Sequence, residues 1–155
     1  MAPFRHLDSC FGCSTTNPSA LGIAILSTPD GAEGRVRFGP DAEGAPGLVH
    51  GGLLATFADE VMGFVQHGGD GVRLTAEMTI RYRRPTPVDT ELCCRARHAE
   101  TDGRRLRVHA EITAADDDTT LLAEADAVFV VLDPAESARR AAVASKGAPT
   151  GLAPH

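Results

Sequence analysis

Tryptophan is absent from this chain of 155 residues, tyrosine occurs once, and aromatic residues make up only 5% of the sequence. This scarcity leaves no evident surface for stacking an aryl group. A basic excess is lacking too: the net charge is −6, so we expect no nucleic-acid partner. With 43% apolar residues, the chain is long enough for one globular domain with a sizeable core.

Long apolar runs are also missing, and none approaches the length of a membrane span, so we expect no membrane partner. The first eight residues contain no apolar segment typical of a secretory leader, which predicts a cytoplasmic location. Residues 1–20 are interpreted as an irregular lead-in and residues 21–133 as the folded domain. Residues 134–155 are rich in Ala, Ser, Gly and Pro, which predicts a disordered tail after a short helical turn.

Cysteine is scarce: Cys10 and Cys13 form a CxxC pair, and Cys93 and Cys94 are adjacent. A CxxC with His6 as a possible third ligand falls short of a recognisable zinc pattern. Adjacent cysteines on a strand point to opposite faces, so they cannot easily serve one tetrahedral site. Metal binding and redox use of the CxxC stay alternatives. We favour small apolar side chains in a structured turn, with no metal ligands and no cofactor.

Alternation of apolar and polar residues predicts strands along most of the chain. The predicted strands are residues 21–27, 33–38, 72–83, 91–100, 104–114 and 121–132. Period two holds throughout residues 72–83, so one face of that strand should be buried and the other solvated. One long helix is predicted at residues 51–66. The order β-β-α-β-β-β-β predicts an α+β protein in which an antiparallel sheet wraps around one central helix.

Gly51 and Gly52 open the predicted helix although glycine is a poor helix former. The free N–H groups of the first turn suit an anion or a developing oxyanion, and close helix–strand packing is the alternative. Asp59 lies two turns further on among apolar neighbours, where a carboxylate could serve as base or nucleophile. A solvated helix surface is its alternative. Glu60 points about 100° away from Asp59 and is the second choice of base.

A single helix cannot easily bring both groups to one substrate. Gly52 and Asp59 are seven residues apart, which is about 10 Å along a helix axis. The oxyanion donor and the carboxylate should each lie about 3 Å from their reacting atoms. Two antiparallel helices across a two-fold axis would supply Gly52 from one protomer and Asp59 from the other. We therefore expect a homo-oligomer with its site at the interface.

These motifs resemble the hotdog-fold acyl-CoA thioesterases, in the branch related to the PaaI enzymes of the phenylacetate pathway. The resemblance spans about residues 10–132 and rests on four segments: the CxxC with Asn17-Pro18, the run GLVHGG at 47–52 followed by Asp59, residues 75–85, and LAEA at 122–125. It implies a hotdog fold and a homodimer or a dimer-of-dimers tetramer. The implied reaction is metal-free hydrolysis of an acyl-CoA or related thioester to free acid and thiol.

Together with the resemblance, the pattern predicts roles for five residues. Asp59 would be general base or nucleophile, and Gly51 and Gly52 would form the oxyanion hole. His50 would fix the loop or contact the thioester carbonyl; alternatively, it satisfies a nearby backbone carbonyl. Thr75 matches the position at which relatives place a Ser or Thr that assists the acid. An ordinary β-branched strand residue is the alternative for Thr75.

Arg81, Arg83 and Arg84 are candidates for binding the phosphates of coenzyme A, because arginine forks suit phosphate. A solvated strand face is equally consistent with them. The alternative function is a non-catalytic module that binds an acyl-CoA or acyl ligand, although the carboxylate of Asp59 argues against it. A hotdog dehydratase or hydratase would need a His and an acid in a different arrangement from His50 and Asp59.

Overall fold

The computed structural model describes residues 7–65 and 72–146. The strands are β1 (Ala24–Thr28), β2 (Gly31–Arg37), β3 (Glu43–Ala45), β4 (Leu48–Val49), β5 (Val72–Tyr82), β6 (Glu91–Asp102), β7 (Arg105–Ala114) and β8 (Asp117–Leu132). The helices are α1 (Gly51–Gly63) and α2 (Pro134–Lys146), and a 3-10 turn covers Pro40–Ala42. Six strands form one antiparallel sheet in the order β1-β2-β6-β7-β8-β5, and β3 and β4 form a separate pair.

Helix α1 packs across the sheet and contacts β2, β5, β6, β7 and β8. Its buried side chains recur every three or four residues and therefore lie on one face of the helix: Leu54, Phe57, Ala58, Val61 and Met62. The packing is close at β2, where a Cβ on Gly34 would lie 2.2 Å from Cγ2 of Val61. The predicted sheet around a central helix is confirmed.

The alternation in β5 does not hold throughout, so that prediction is wrong. A β-bulge between Thr75 and Glu77 shifts the pairing of β5 with β8. An extra residue in one strand reverses the faces on which later side chains lie. Thr75 therefore faces α1, and so does Met78 three residues later, packed against the core. Leu74, predicted to be buried, has 47% of its surface exposed.

The C-terminal end of α1 is satisfied by an arginine of β5. Arg73 Nη1 donates to the carbonyl oxygen of Gly63 at 2.6 Å and also to that of Val65. The last carbonyls of a helix have no partner within the helix, so this side chain acts as a cap. The helix ends at Gly63, so the predicted end at residue 66 was about three residues too late.

Helix α2 occupies 13 residues where only a short helical turn was predicted. Asp133 Oδ1 accepts a hydrogen bond from the Glu136 amide at 2.7 Å, and Pro134 is the first helical residue, a combination that favours a helix start. Arg104, in the turn between β6 and β7, pairs with Glu136 at 2.9 Å. The rest of the predicted tail, residues 147–155, lies outside the described residues. Over the ranges described, no helix has the length and apolar character to cross a bilayer.

Candidate active site

Asp59 lies on the side of α1 that faces β5, where Thr75 Oγ1 donates to Asp59 Oδ1 at 2.7 Å. The bulge in β5 makes this contact possible, because it turns Thr75 towards the helix. Burial raises the pKa of the Asp59 carboxyl, the Thr75 hydrogen bond opposes that rise, and the charge of Glu60 adds to it. A half-buried carboxylate held in one orientation suits a base or a nucleophile.

Glu60, the second choice of base, has a different environment. Cys10 Sγ donates to Glu60 Oε1 at 3.1 Å, and a Cβ on Gly12 would lie 2.5 Å from Glu60 Cδ. Burial, followed by the proximity of Glu60, raises the pKa of the Cys13 thiol. Residues 10–13 therefore pack around the Glu60 carboxylate, whereas Thr75 contacts Asp59. His6, the predicted third partner of the cysteines, lies outside the described residues.

His50 caps the start of α1: its Nδ1 accepts a hydrogen bond from the Gly52 amide at 2.9 Å. An accepting Nδ1 carries no proton, so the ring hydrogen of neutral His50 is on Nε2. This contact is a side-chain cap and not the bond to a backbone carbonyl that was the alternative for His50. The Gly52 amide is thereby occupied, whereas the Gly51 amide has no acceptor among residues 7–65 and 72–146. Of the two predicted glycines, Gly51 is therefore the better candidate for an oxyanion donor.

Tyr82 was missed by the sequence reasoning, although it is the single tyrosine of the chain. Its hydroxyl donates to the Gly51 carbonyl oxygen at 2.8 Å, and a Cβ on Gly51 would lie 3.1 Å from its ring. On the other side, a Cβ on Gly44 would lie 2.8 Å from the Cα of His50. Gly44 and Gly51 thus permit close packing around the helix start. For Gly51, this agrees with the alternative explanation of close helix–strand packing.

A cavity of about 480 Å³ opens beside the start of α1. Its wall includes His50, Gly51, Tyr82, Arg83 and Arg84, together with apolar residues of β4 and α1. The cavity places the unoccupied Gly51 amide next to space that a ligand can fill. The Asp59 carboxylate of the same protomer is not part of its wall.

The structure divides the three predicted arginines. Arg83, which pairs with Glu124, and Arg84 both line the cavity, and Arg84 makes no ion pair with any residue in the described ranges. Arg81 instead binds Asp126 at 2.7 Å on the face of the sheet away from α1, where His109 also contacts Asp126. Alternation along β5 explains this, because residue 81 faces opposite to Tyr82. Arg81 is therefore not brought to the cavity.

Comparison with known proteins gives consistent results. The family model described as Thioesterase superfamily matches residues 46–121. The acyl-coenzyme A thioesterase THEM4 of Mus musculus is 37% identical over 92 residues, which cover 59% of this chain and 39% of that protein. The chain thus spans about two fifths of the length of the curated relatives it matches. The conserved protein PA5202 from Pseudomonas aeruginosa has 32% identity and a TM-score of 0.64, with 72% of this chain and 90% of that chain covered.

The PaaI protein of E. coli, from the phenylacetic acid degradation operon, is similar at the level of the fold. Its TM-score is 0.65 at 19% identity, with 72% of this chain and 80% of that chain covered. The antiparallel sheet around α1 is therefore a hotdog fold, which confirms the predicted fold. The chain belongs to the thioesterase superfamily.

Proposed function

We propose that the protein hydrolyses acyl-CoA or a related acyl thioester to a free acid and a thiol. The observation that carries the proposal is the half-buried Asp59 carboxylate held by Thr75. The superfamily and the acyl-coenzyme A thioesterase names of the mammalian relatives support the reaction class. Thioester hydrolysis needs a carboxylate near the carbonyl carbon and donors for the oxyanion, and α1 offers both.

In this mechanism, ionised Asp59 activates a water molecule or attacks the thioester carbonyl directly. Thr75 orients the carboxylate and favours its ionised form, because its hydroxyl donates to the charged oxygen. The Gly51 amide, at the positive end of the α1 dipole, donates to the carbonyl oxygen as negative charge develops there. His50 Nε2–H is the second donor, and Gly52 holds the imidazole through its amide.

The site is completed by a second protomer. Gly51 and Asp59 lie more than two helical turns apart on α1, so the two groups of one chain cannot both contact the same thioester. Strand β5 is an 11-residue edge whose outer side has no partner strand in the described sheet, and Val72 and Leu74 are exposed on it. The unpaired backbone groups of a long edge with exposed apolar side chains are a template for pairing with another chain. In a homodimer, alone or within a dimer of dimers, Gly51 of one protomer would lie near Asp59 of its partner. Location in the cytoplasm stays a prediction.

The cavity at the helix start is the proposed site for coenzyme A. Arg84 and Arg83 are cationic groups on its wall and would meet the nucleotide phosphates. Arg84 is the stronger candidate, because Arg83 is already paired with Glu124. Arg81 has no part in this proposal.

Thiol release from a panel of acyl-CoA substrates, followed with DTNB, tests the reaction. We expect turnover by the wild type and almost none by Asp59→Ala, with the same oligomeric state by light scattering. Full activity of Asp59→Ala would contradict the assignment of the carboxylate. Protection of the wild type against heat by acyl-CoA without thiol release would show that the protein is a binding module instead.

The shared site has its own test, in which two inactive variants are mixed. Asp59→Ala removes the carboxylate, and Gly51→Val displaces the helix start, because even a Cβ would lie 3.1 Å from Tyr82. Subunits exchanged one to one give heterodimers in about half of the molecules, each with one intact site, so about a quarter of wild-type activity should return. If no activity returns after confirmed exchange, both groups must come from the same chain.

A further inference from the structure

Cys10, Cys13 and Glu60 lie together on a different side of α1 from the Asp59–Thr75 pair. Each offers one ligand atom, and the three atoms all lie within 4.8 Å of one another. We infer that these residues bind one zinc ion, which fastens the N-terminal loop to α1. The inference goes beyond thioester hydrolysis and does not depend on it.

The loop that carries the two cysteines is held in shape by its own hydrogen bonds. The Gly12 amide donates to Cys10 Sγ at 3.3 Å. The Phe11 and Gly12 carbonyl oxygens accept from Leu21 and Ile23 at 2.8 and 3.0 Å. Both sulfurs are therefore presented by a backbone that is already fixed, so little ordering is needed when a metal binds.

Glu60 reaches this loop from α1, fifty residues away in the sequence. Cys10 Sγ contacts its Oε1 at 3.1 Å, and the missing side chain of Gly12 leaves the space that the carboxylate fills. The geometry thus brings a third ligand to the CxxC that no local sequence pattern contains. A carboxylate in this place can ligate a cation, whereas it would form no bond to a Cys10–Cys13 disulfide.

The ligand types select zinc among common metal ions. Two thiolates with one carboxylate form a mixed soft and hard set, which Zn²⁺ accepts and which Mg²⁺ and Ca²⁺, with their all-oxygen shells, do not. Sulfur atoms at a tetrahedral zinc lie about 3.8 Å apart, given Zn–S bonds of about 2.3 Å. The separations here lie within 4.8 Å, so small side-chain rotations close the site. The fourth position is left to water, because all three residues are only half-buried.

Zinc titration of the full-length, reduced, metal-free protein tests the site. We expect one Zn²⁺ per protomer, measured by mass spectrometry of the metal after gel filtration, and a rise in melting temperature with zinc concentration. Co²⁺ used as a probe should give the charge-transfer absorption of a thiolate–metal bond. Failure of the reduced wild type to retain zinc would overturn the inference. This holds also if the protein readily forms a Cys10–Cys13 disulfide.

Variants separate this site from incidental metal binding. Cys13→Ser and Glu60→Gln should weaken zinc binding by about 100-fold or more, because each removes a direct ligand. Cys93→Ala, at a buried cysteine of β6, is the matched control and should bind zinc like the wild type. Equal zinc binding by Cys13→Ser and the wild type would show that histidines or other surface groups hold the metal. None of these measurements uses catalytic activity, so their outcome is independent of the proposed reaction.

Discussion

Asp59 and Glu60 are neighbouring carboxylates on α1 whose surroundings differ completely. Asp59 faces β5 and accepts a hydrogen bond from the Thr75 hydroxyl, whereas Glu60 faces the N-terminal loop and is contacted by the Cys10 thiol. Consecutive side chains on a helix point about 100° apart, and that rotation alone places the two acids against different parts of the chain. For these two acids, the element that the side chain faces decides the chemistry of the carboxylate more than the residue type does.

The two acids also affect one another. The negative charge of Glu60 contributes to the rise in the pKa of Asp59, although burial contributes more. Residues 10–13 pack around Glu60, whereas Asp59 accepts a side-chain hydrogen bond from Thr75 alone among the residues that the structure describes. This asymmetry favours Asp59 over Glu60 as the proposed base or nucleophile.

Replacing each acid by its amide is the strongest way to test the comparison. Asp59→Asn should lower kcat/KM by about 10²- to 10⁴-fold, which is the usual contribution of a general base. Glu60→Gln should lower it by less than about 10-fold, because Glu60 acts only through its charge and the loop. Initial rates of thiol release measure both. Equal losses in the two variants would show that the acids share one role.

Removing the Thr75 hydroxyl should shift the pH dependence of the reaction. In the proposed mechanism Asp59 acts in its ionised form, so kcat/KM should fall as the pH drops through the pKa of Asp59, which burial raises above its ordinary value. The Thr75 hydrogen bond lowers that pKa, so Thr75→Val should move the acid limb to higher pH and lower the plateau about 10-fold. The pH profile measures the shift, and Thr79→Val on the same strand is the control. An acid limb that stays in place or moves to lower pH would contradict the role of Thr75.

Asp59→Asn should gain stability where it loses activity. The pKa of Asp59 is raised in the folded protein, so its ionised form opposes folding. This penalty is absent below the unfolded carboxyl pKa of about 4, develops as the pH rises through the folded pKa, and is complete above it. Because the group is only half-buried, we expect a gain in the free energy of unfolding of about 1 kcal/mol at pH 7 and none near pH 3. Urea unfolding at both values checks the sign, and a gain at pH 3 as large as at pH 7 would contradict it.

The fold could be predicted from local patterns, because the residues that form it repeat at regular intervals. Apolar residues spaced by three and four marked α1, and alternation marked the strands that surround it. The start of the helix could also be predicted, since Gly51 and Gly52 are poor helix formers directly before the apolar helical pattern. These features lie within one element and need no knowledge of the rest of the chain.

The contacts that complete the site could not be predicted, because they join distant parts of the sequence. The bulge in β5 depends on pairing with β8, and without it Thr75 would be assigned to the face away from Asp59. Cys10 and Glu60 are fifty residues apart and have no common pattern. By contrast, the missed helix α2 did have a local signal: Asp133 and Pro134 form a helix start.

The smallest expected effect concerns Tyr82, which supports the start of α1 and is remote from Glu60. Tyr82→Phe removes the hydrogen bond to the Gly51 carbonyl and should lower the free energy of unfolding by about 0.5–1.5 kcal/mol. The Gly51 amide would then be held less firmly, so kcat/KM should fall a few-fold, whereas zinc binding at Cys10 and Glu60 should not change. Rates, urea unfolding and zinc titration of the one variant measure all three quantities. A simultaneous loss of zinc would mean that the two sides of α1 are coupled through the helix, and the contrast between Asp59 and Glu60 would then be one of degree.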